Sequence, residues 1–252
     1  MSGPAVQDLD RAIAADAERV RTVYAARRGG HRYGWDQPGH LFIMQELERR
    51  LLAMLDRHGI LPLSGRRVLE IGCGSGHFLR ELVKWGADPA RVVGIDLLED
   101  RLAEARRLTP PAIRLEPANA AEIGFADASF DLVLQMTVFT SILSDDVRER
   151  VAAEMRRVLA PGGSIVWYDF RINNPRNSDV RSVGKAEVRK LFPGAVIHFE
   201  PATLAPPLAR RLAPRAWWLC ESLDLLPFLR THYLAMIRPS AGDPAVQEAV
   251  HG

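Results

Sequence analysis

A glycine-rich turn that follows an apolar run is the residue pattern with the clearest chemical meaning in this chain. The run Val68 to Ile71 predicts a buried strand, and it leads directly into Gly72-Cys73-Gly74-Ser75-Gly76. Glycines have no Cβ, so such a turn lets the backbone come close to a ligand. A second anchor is Asp96, at the end of the next predicted strand, where a carboxylate can accept both hydroxyl hydrogens of a ribose. The spacing therefore predicts a nucleotide-type cofactor.

The exact spacing separates the cofactors that use such turns. The dinucleotide fingerprint needs a third glycine or an alanine where this chain has His77, and no Gly-Lys-Ser/Thr follows to hold a phosphate. An NAD-dependent dehydrogenase or epimerase is a second functional class. It is disfavoured by His77 and by the lack of any Tyr-x-x-x-Lys pair.

Apolar runs alternate with helical periodicity along most of the chain. Further strands are predicted at residues 92–95, 113–115, 130–134 and 164–170, with helices between them, one of them capped by Ser144. This alternation predicts an α/β fold with a parallel sheet wound on both faces. Two later runs, 195–199 and 231–237, predict strands that could pair antiparallel at the sheet edge.

These segments together resemble the class I S-adenosylmethionine-dependent methyltransferases of the small-molecule type. The resemblance rests on Glu70 to Gly76, Gly94 to Asp96, Ala118 to Ala120, Phe130 to Val133, and Arg157 to Gly163. It implies a doubly wound, Rossmann-like seven-stranded sheet, mostly parallel with an antiparallel last strand. It also implies a lid formed by residues 1–40, a methyltransferase domain over 41–238 with a helical insertion at 204–229, and a loose tail at 239–252.

The resemblance also implies how S-adenosyl-L-methionine is bound. The glycine loop would pass the methionine part and Asp96 would hold the ribose. Asn119 stands where the family usually has an aspartate facing the adenine amino group, and its side-chain oxygen could accept that hydrogen bond without a charge. The cofactor-binding residues predicted in this way are Glu70, Gly72, Cys73, Gly74, Gly76, Asp96, Leu97, Asn119, Ala120 and Gln135.

Transfer of the methyl group needs a positioned acceptor and, for a hydroxyl acceptor, a base. Asp169, in the polar run after the fifth strand, is the first candidate base, and His31 and His40 are the others. We expect the acceptor to be bound by Tyr33, Thr137, Thr140, Arg171 and Asn173. Alternatively, Asp169 and Arg171 form a structural ion pair. No metal is expected, because Asp169 alone does not make a metal site.

The apolar and arginine-containing segment 204–229 has several interpretations. Trp217, Trp218 and Leu219 are expected in the core; the segment could also roof the acceptor pocket, form a homodimer face or lie at a membrane surface. The last is the least expected, and no apolar run reaches the roughly 18 residues of a membrane-spanning helix.

Composition limits the remaining functional classes. The 252 residues carry a net charge of +2, and no Asn/Asp-Pro-Pro-aromatic motif follows the fourth strand, so nucleic acid is not an expected partner. Two cysteines, no basic-then-apolar leader and no disulfide framework favour a cytoplasmic bacterial protein.

We therefore expect an O-methyltransferase for a sugar-containing or other secondary-metabolite hydroxyl. An N- or C-methyltransferase of a small molecule is the alternative. A cofactor-binding protein without turnover is another, since Thr140 and Ser141 stand where many small-molecule relatives have histidine.

Overall fold

The computed structural model describes residues 4–26, 34–173 and 177–239, which form a seven-stranded sheet with helices on both faces. The strand order is β3-β2-β1-β4-β5-β7-β6, and only β7 runs antiparallel to its neighbours. This confirms the predicted fold class and the antiparallel last strand. The strands are β1 (Val68–Ile71), β2 (Val92–Asp96), β3 (Arg114–Pro117), β4 (Phe130–Met136), β5 (Leu159–Phe170), β6 (Val196–Leu204) and β7 (Arg230–Arg238).

The helices cover both faces of the sheet because their apolar faces pack on the apolar side chains that the strands direct alternately to each face. The helices are α1 (Pro4–Ala26), α2 (Pro38–Arg57), α3 (His77–Lys84), α4 (Glu99–Leu108), α5 (Asp145–Val158), α6 (Lys185–Leu191), α7 (Pro206–Leu212) and α8 (Trp217–Asp224). One core cluster packs α1, α5 and α6 on one face of the sheet, and a second packs α2, α3 and α4 on the other. Along β4, Val133 joins the first cluster while Leu132 and Leu134 join the second, as the period of two requires.

Several elements differ from the predicted boundaries. The strand β6 extends to Leu204, so the helical segment begins only at Pro206. Residue 41, predicted as a boundary, lies inside α2. A third, smaller core cluster holds α7 and α8 against α2 through Phe42, Ala209 and Cys220. A Cβ on Gly39 would lie 2.4 Å from Cα of Arg210, so α2 and α7 make their close contact at this glycine.

The cap of α5 shows how local residue choice sets an element. Ser144 is the N-cap and its hydroxyl accepts a hydrogen bond from the backbone of Val147 at 3.4 Å, as the sequence predicts.

Among residues 4–26, 34–173 and 177–239, no helix combines the length and the apolar character needed to cross a bilayer.

Candidate active site

The glycine loop lies at the carboxyl edge of the sheet, between β1 and α3. The backbone N–H groups of Gly72 and Cys73 both donate to the carbonyl of Ile95, at 2.8 and 3.0 Å, which fastens the loop to the end of β2. Gly72 has a φ of +68°, and a Cβ there would come within 2.5 Å of Val138. Gly74 has a φ of +54° and faces open space, so this is where a ligand can approach the backbone closely.

Asp96 holds the loop and the start of α4 together. Its Oδ2 accepts a hydrogen bond from the N–H of Gly74 and its Oδ1 accepts one from Leu98, each at 2.8 Å. Each carboxylate oxygen can accept a second hydrogen bond, so the group retains capacity for two ligand hydroxyls. The side chain is almost fully buried, and burial raises the pKa of Asp96. The position and remaining capacity of Asp96 therefore fit a ribose.

Glu70 is a second buried acid beside Asp96. Burial, and then the nearby Asp96 carboxylate, hold the pKa of Glu70 well above its ordinary value, while Arg80 opposes this rise. Its Oε2 is buried and has no hydrogen-bond partner in the described part of the chain. A cation bound beside these two acids would favour their ionised forms over the neutral forms that burial favours. The site is therefore suited to a ligand that has both hydroxyl groups and positive charge.

Cys73 contributes backbone rather than side chain to the loop. Its thiol is buried, and its Sγ would lie 2.9 Å from a Cβ built on Gly94, so the side chain points into the sheet. Burial raises the pKa of the Cys73 thiol. The thiol is therefore a packing group, and only its peptide faces the ligand side.

The loop after β3 lies next to the loop after β2. The N–H of Ala118 donates to the carbonyl of Asp96 at 3.0 Å, which brings Asn119 and Ala120 to the same edge. The side-chain oxygen of Asn119 already accepts a hydrogen bond from Ala121 at 3.0 Å. This oxygen can accept a second hydrogen bond and the amide nitrogen can donate, so both polar atoms of Asn119 remain able to meet a ligand. The role predicted for the oxygen stays a prediction.

A cavity of about 470 Å³ opens at this edge beyond Asp96. Leu97 and Leu98 line it from the sheet side, and Arg21 and Tyr24 line it from α1. The sequence identified Leu97 but missed the two α1 residues. Helical spacing in the first 26 residues was the only available signal, and spacing does not say which loop a helix covers.

Helix α1 is held over the loop that follows β4. Its Asp16 accepts a hydrogen bond from the backbone of Leu143 at 3.3 Å, and the hydroxyls of Tyr24 and Ser141 lie 3.4 Å apart. Arg19 donates to the carbonyl of Asp179 at 3.3 Å. The lid predicted for residues 1–40 therefore includes a helix packed across two site loops, although its function as a lid stays a prediction.

Asp169 is the centre of a buried network between β4 and β5. Its Oδ2 accepts a hydrogen bond from Nε2 of Gln135, and its Oδ1 accepts one from the backbone of Thr140, both at 3.0 Å. Only 1% of Asp169 is exposed, and burial raises its pKa to about 6, against the hydrogen bonds from Thr140 and Gln135. Asp169 and Arg171 do not form the alternative ion pair, because Arg171 donates to the carbonyls of Arg230 and Pro227 instead.

Gln135 and Thr140 are buried by the same network. Oε1 of Gln135 accepts a hydrogen bond from the N–H of Val138 at 3.0 Å, so both ends of the amide are used within the protein. The side chain of Thr140 is 1% exposed. Neither side chain presents a surface to a ligand in this arrangement, and both were predicted to do so.

Thr137 has the most unusual backbone in the site. Its φ is +65°, a region that is costly for a β-branched residue, and its N–H donates to the carbonyl of Tyr168 at 2.7 Å. The next residue, Val138, packs on Gly72 of the glycine loop. The strained residue thus lies at the junction between the cofactor loop and the Asp169 network. The sequence identified Thr137 but gave no indication of its conformation.

Arg171 and Asn173 hold chain segments beside the site. Arg171 donates from Nε to the carbonyl of Arg230 at 2.8 Å and from Nη2 to the carbonyl of Pro227 at 2.9 Å. Asn173 accepts a hydrogen bond from the backbone of Ser182 at 2.6 Å. Both residues lie at the functional edge as predicted, but the polar contacts described for them are to the protein itself.

An aromatic and imidazole cluster borders the glycine loop on the α2 side. The ring of Trp35 lies 5.4 Å from that of His40 and 4.9 Å from that of His77, which is the first residue of α3. Burial, with Arg210 nearby, lowers the pKa of His40, and burial lowers that of His77 to about 4. Both rings are therefore neutral at pH 7. The predicted site residues His31 and Tyr33 lie outside the described residues.

No group of three or more His, Cys, Asp or Glu side chains that could hold a metal ion occurs in the part of the chain that the structure describes.

Comparison with known proteins assigns the region that contains this site. Residues 68–163 match the sequence family described as a methyltransferase domain. The chain is 28% identical over 210 residues to a ubiquinone biosynthesis O-methyltransferase from Hahella chejuensis, covering 81% of this chain and 84% of that protein. It is 34% identical over 127 residues to a dimethylglycine N-methyltransferase from Parasynechococcus marenigrum, covering 48% and 43%.

The fold is shared with solved structures. An S-adenosylmethionine dependent methyltransferase from Mesorhizobium loti superposes with a TM-score of 0.53 at 22% identity, over 72% of this chain and 94% of that one. The chain spans less than half the length of several curated relatives that it matches. Residues 68–163 are therefore similar to a methyltransferase domain, and the fold is that of an S-adenosylmethionine dependent methyltransferase.

Proposed function

We propose that this chain is an S-adenosylmethionine-dependent methyltransferase that methylates a hydroxyl group of a small molecule. The observation that carries the proposal is the closed arrangement of the glycine loop on Asp96. The two buried acids Glu70 and Asp96 lie beside the open face of Gly74, and Glu70 has an oxygen without a partner. Hydroxyl groups and positive charge are both features of the adenosyl sulfonium.

The adenosine half would be held by residues at the ends of β2 and β3. Asp96 accepts the ribose hydroxyls, and the cavity between Leu97, Leu98 and Tyr24 receives the adenosine. Asn119 offers the ring a further hydrogen bond, either from its amide nitrogen or to its oxygen, which can accept a second bond beside the one from Ala121. Because α1 lines this cavity, it would shield the adenosine half of the cofactor from water.

The methionine half would lie along the glycine loop. The bound cofactor supplies a methyl group already activated on sulfur. What the protein must add is geometry, because an acceptor held about 3 Å from the methyl gains most of the available rate acceleration. Thr137 and Val138 border this end of the loop, and the network of Gln135 and Asp169 holds them in place.

Two described residues are candidates for the base that accepts the proton of a hydroxyl substrate. Asp169 was the first candidate, but its burial and its two occupied oxygens favour a positioning role for the loop 137–140. His40 has a lowered pKa and is neutral at pH 7, the form that can accept a proton. We therefore propose His40 as the base, with His31 as the alternative.

The choice of oxygen as the methylated atom is supported by the O-methyltransferase from Hahella chejuensis, which the chain covers over most of its length. The similarity to an N-methyltransferase keeps nitrogen as the alternative. A sugar-containing or secondary-metabolite acceptor, a bacterial source, a cytoplasmic location and a homodimer stay predictions of the sequence.

Turnover is the experiment that tests the proposal. The protein is incubated with S-adenosylmethionine and separate pools of phenolic, sugar and amine acceptors, and S-adenosylhomocysteine is measured by mass spectrometry. We expect product with a hydroxyl-containing pool and loss of about 100-fold in kcat for His40→Gln, within the range of general base catalysis. Product only with amines would overturn the oxygen assignment, and cofactor binding without turnover in any pool would indicate a protein without transferase activity.

A further inference from the structure

One segment of the surface exposes several large apolar side chains together. Trp218, Leu225 and Phe228 are each about 70% exposed, and Leu226 is exposed beside them. We call these four residues the α8 apolar surface. They contradict the expectation that Trp218 packs in the core with Trp217. Large apolar side chains that are exposed singly are common, but a contiguous set marks an interaction site.

The opposite face of the same segment is anchored in the protein. Cys220 and Asp224 are buried, and Asp224 forms an ion pair with Nη2 of Arg50 in α2 at 2.5 Å. Arg230 donates to the carbonyl of Asp224 at 2.6 Å, and the ring of Trp217 packs against Phe42 at 5.2 Å. The exposure of the outer face is therefore a consequence of how α8 is fixed.

Positive charge borders the α8 apolar surface. Arg211 in α7 and Arg215 in the turn before α8 are exposed, and no ion pair joins either of them to another described residue. Glu221 is the exposed acid of this segment, and its Oε1 accepts a hydrogen bond from Trp217 at 3.3 Å. The surface thus combines aromatic and aliphatic groups with excess positive charge.

The α8 apolar surface lies next to the functional edge of the sheet. Arg171, the residue after β5, donates to the carbonyls of Pro227 and Arg230, which ties the end of the segment to the carboxyl end of β5. Ile172, the next residue, is half exposed. An acceptor that approaches β5 from solvent would therefore pass beside this surface.

We propose that the α8 apolar surface, with Arg211 and Arg215, docks on the surface of an anionic lipid bilayer. Trp, Phe and Leu side chains beside arginines are the combination by which a peripheral segment inserts into the headgroup region of such a bilayer. A second copy of the chain is a poorer occupant. In a two-fold contact the same patch meets itself, so its exposed arginines would need acids of that patch as partners, and its exposed acid Glu221 already accepts a hydrogen bond from Trp217. The inference does not depend on the transferase chemistry, because binding to lipid is measured without cofactor or acceptor.

Vesicle co-sedimentation tests the proposal. The full chain is mixed with phosphatidylcholine vesicles that contain or lack phosphatidylglycerol, and the partition coefficient is measured at low and high salt. We expect binding to the anionic vesicles that weakens with salt. Arg211→Gln with Arg215→Gln should weaken it by about 25-fold, since each basic residue at such a surface contributes about fivefold. Trp218→Ser with Phe228→Ser should weaken it by at least about tenfold.

Variants outside the segment 211–228 serve as controls. Val196→Ser with Leu108→Ser removes two exposed apolar groups, and Arg106→Gln with Arg107→Gln removes two exposed charges of α4. Binding that responds equally to these controls, or no binding of the wild-type chain to anionic vesicles, would overturn the proposal. So would a dimer in sedimentation equilibrium that Trp218→Ser with Phe228→Ser dissociates, because the surface would then be an interface between copies of the chain.

Discussion

Buried polar groups are hydrogen-bonded differently on the two sides of the carboxyl edge of the sheet. On the β1–β2 side, Glu70 keeps an oxygen without a partner and Gly74 faces open space. On the β4–β5 side, Asp169 and Gln135 satisfy one another and the backbone around them. The first side has a buried carboxylate oxygen that is available to a ligand, whereas on the second side the carboxylate and the amide are both paired within the protein. The buried hydroxyl of Thr140 on the second side has no partner among the described residues. The difference suggests that the cofactor is recognised by polar groups and the acceptor by the shape of the loops.

The same comparison applies to the three buried acids. Burial raises the pKa of Glu70, Asp96 and Asp169. Both oxygens of Asp96 and of Asp169 accept hydrogen bonds from protein donors, but those of Asp96 come from the ligand-facing loops, whereas Asp169 joins buried groups of the β4–β5 side. We therefore expect substitution of Glu70 or Asp96 to change cofactor affinity, and substitution of Asp169 to change stability without changing cofactor affinity.

The largest effect on stability is expected for Asp169→Ala. The substitution leaves the buried N–H of Thr140 and the amide of Gln135 without an acceptor, at about 3 kcal/mol for the two groups. Differential scanning calorimetry should show Tm lowered by about 6–12 °C, with cofactor affinity unchanged within about threefold. Asp127→Ala, which removes an exposed acid paired with Arg157, should change Tm much less. Equal effects of the two variants would contradict a structural network at Asp169.

The pKa of Asp169 gives this prediction a pH dependence. A folded-state pKa of about 6 lies above the unfolded value, so the carboxyl group stabilises the protein at low pH, and this contribution is lost as the pH rises through 6. Between pH 5 and 7, the wild type should lose about 1 kcal/mol of unfolding free energy relative to Asp169→Asn. Urea denaturation at several pH values measures the difference. If Asp169 were instead the catalytic base, Asp169→Asn would lose the inflection of kcat/KM near pH 6.

The next effect is expected at Glu70, on the cofactor side. Its raised pKa means that the ionised form destabilises the folded protein as the pH rises, so the neutral variant Glu70→Gln should raise Tm at pH 7.5 by about 2–4 °C. The same change removes negative charge beside the cation and should weaken binding of S-adenosylmethionine by about tenfold. The exposed control Glu149→Gln, on α5, should alter neither quantity. A Glu70→Gln protein that is less stable and binds equally well would show that Glu70 is only a packing residue.

An effect on Tm of the same size as for Glu70→Gln is expected at Thr137, where the two sides meet. Glycine relieves the positive φ, so Thr137→Gly should raise Tm by about 2–4 °C, corresponding to about 1 kcal/mol. The loop becomes less defined, and we expect kcat for the acceptor to fall by about tenfold while cofactor affinity is retained. Ala128→Gly relieves a φ of +55° away from the site and should leave kcat unchanged. Unchanged kcat in Thr137→Gly would contradict a role of this strained residue in positioning.

The cofactor side was predicted from the sequence because its parts are local in the chain. A strand, a glycine turn and the acid of the next strand lie within about 30 residues, and parallel strands bring their carboxyl ends to one edge. Gly74 and Asp96, expected at the same site, are joined by a hydrogen bond. The residues of β7 predicted a strand that could pair antiparallel at the sheet edge, and the family resemblance predicted its place as the antiparallel last strand.

On the acceptor side, the sequence predicted which residues belong to the site but not how they contact one another. Gln135 and Asp169 were identified as site residues, but their mutual hydrogen bond joins positions 34 residues apart, and no local pattern reveals it. Exposure is equally non-local. Trp217 and Trp218 are adjacent in sequence, but one packs on Phe42 while the other faces solvent. Which of two neighbouring apolar residues is buried depends on the elements packed against them.

Isothermal titration calorimetry with S-adenosylmethionine and S-adenosylhomocysteine tests most directly whether the glycine loop and Asp96 form a cofactor site. We expect one site per chain in the wild-type protein. Asp96→Asn should weaken binding by about 100-fold, while the exposed control Asp88→Asn binds like the wild type. Circular dichroism should show both variants folded. The proposed cofactor site is contradicted if the wild-type chain gives no binding heat with either ligand but binds NAD. It is also contradicted if folded Asp96→Asn binds S-adenosylmethionine with unchanged affinity.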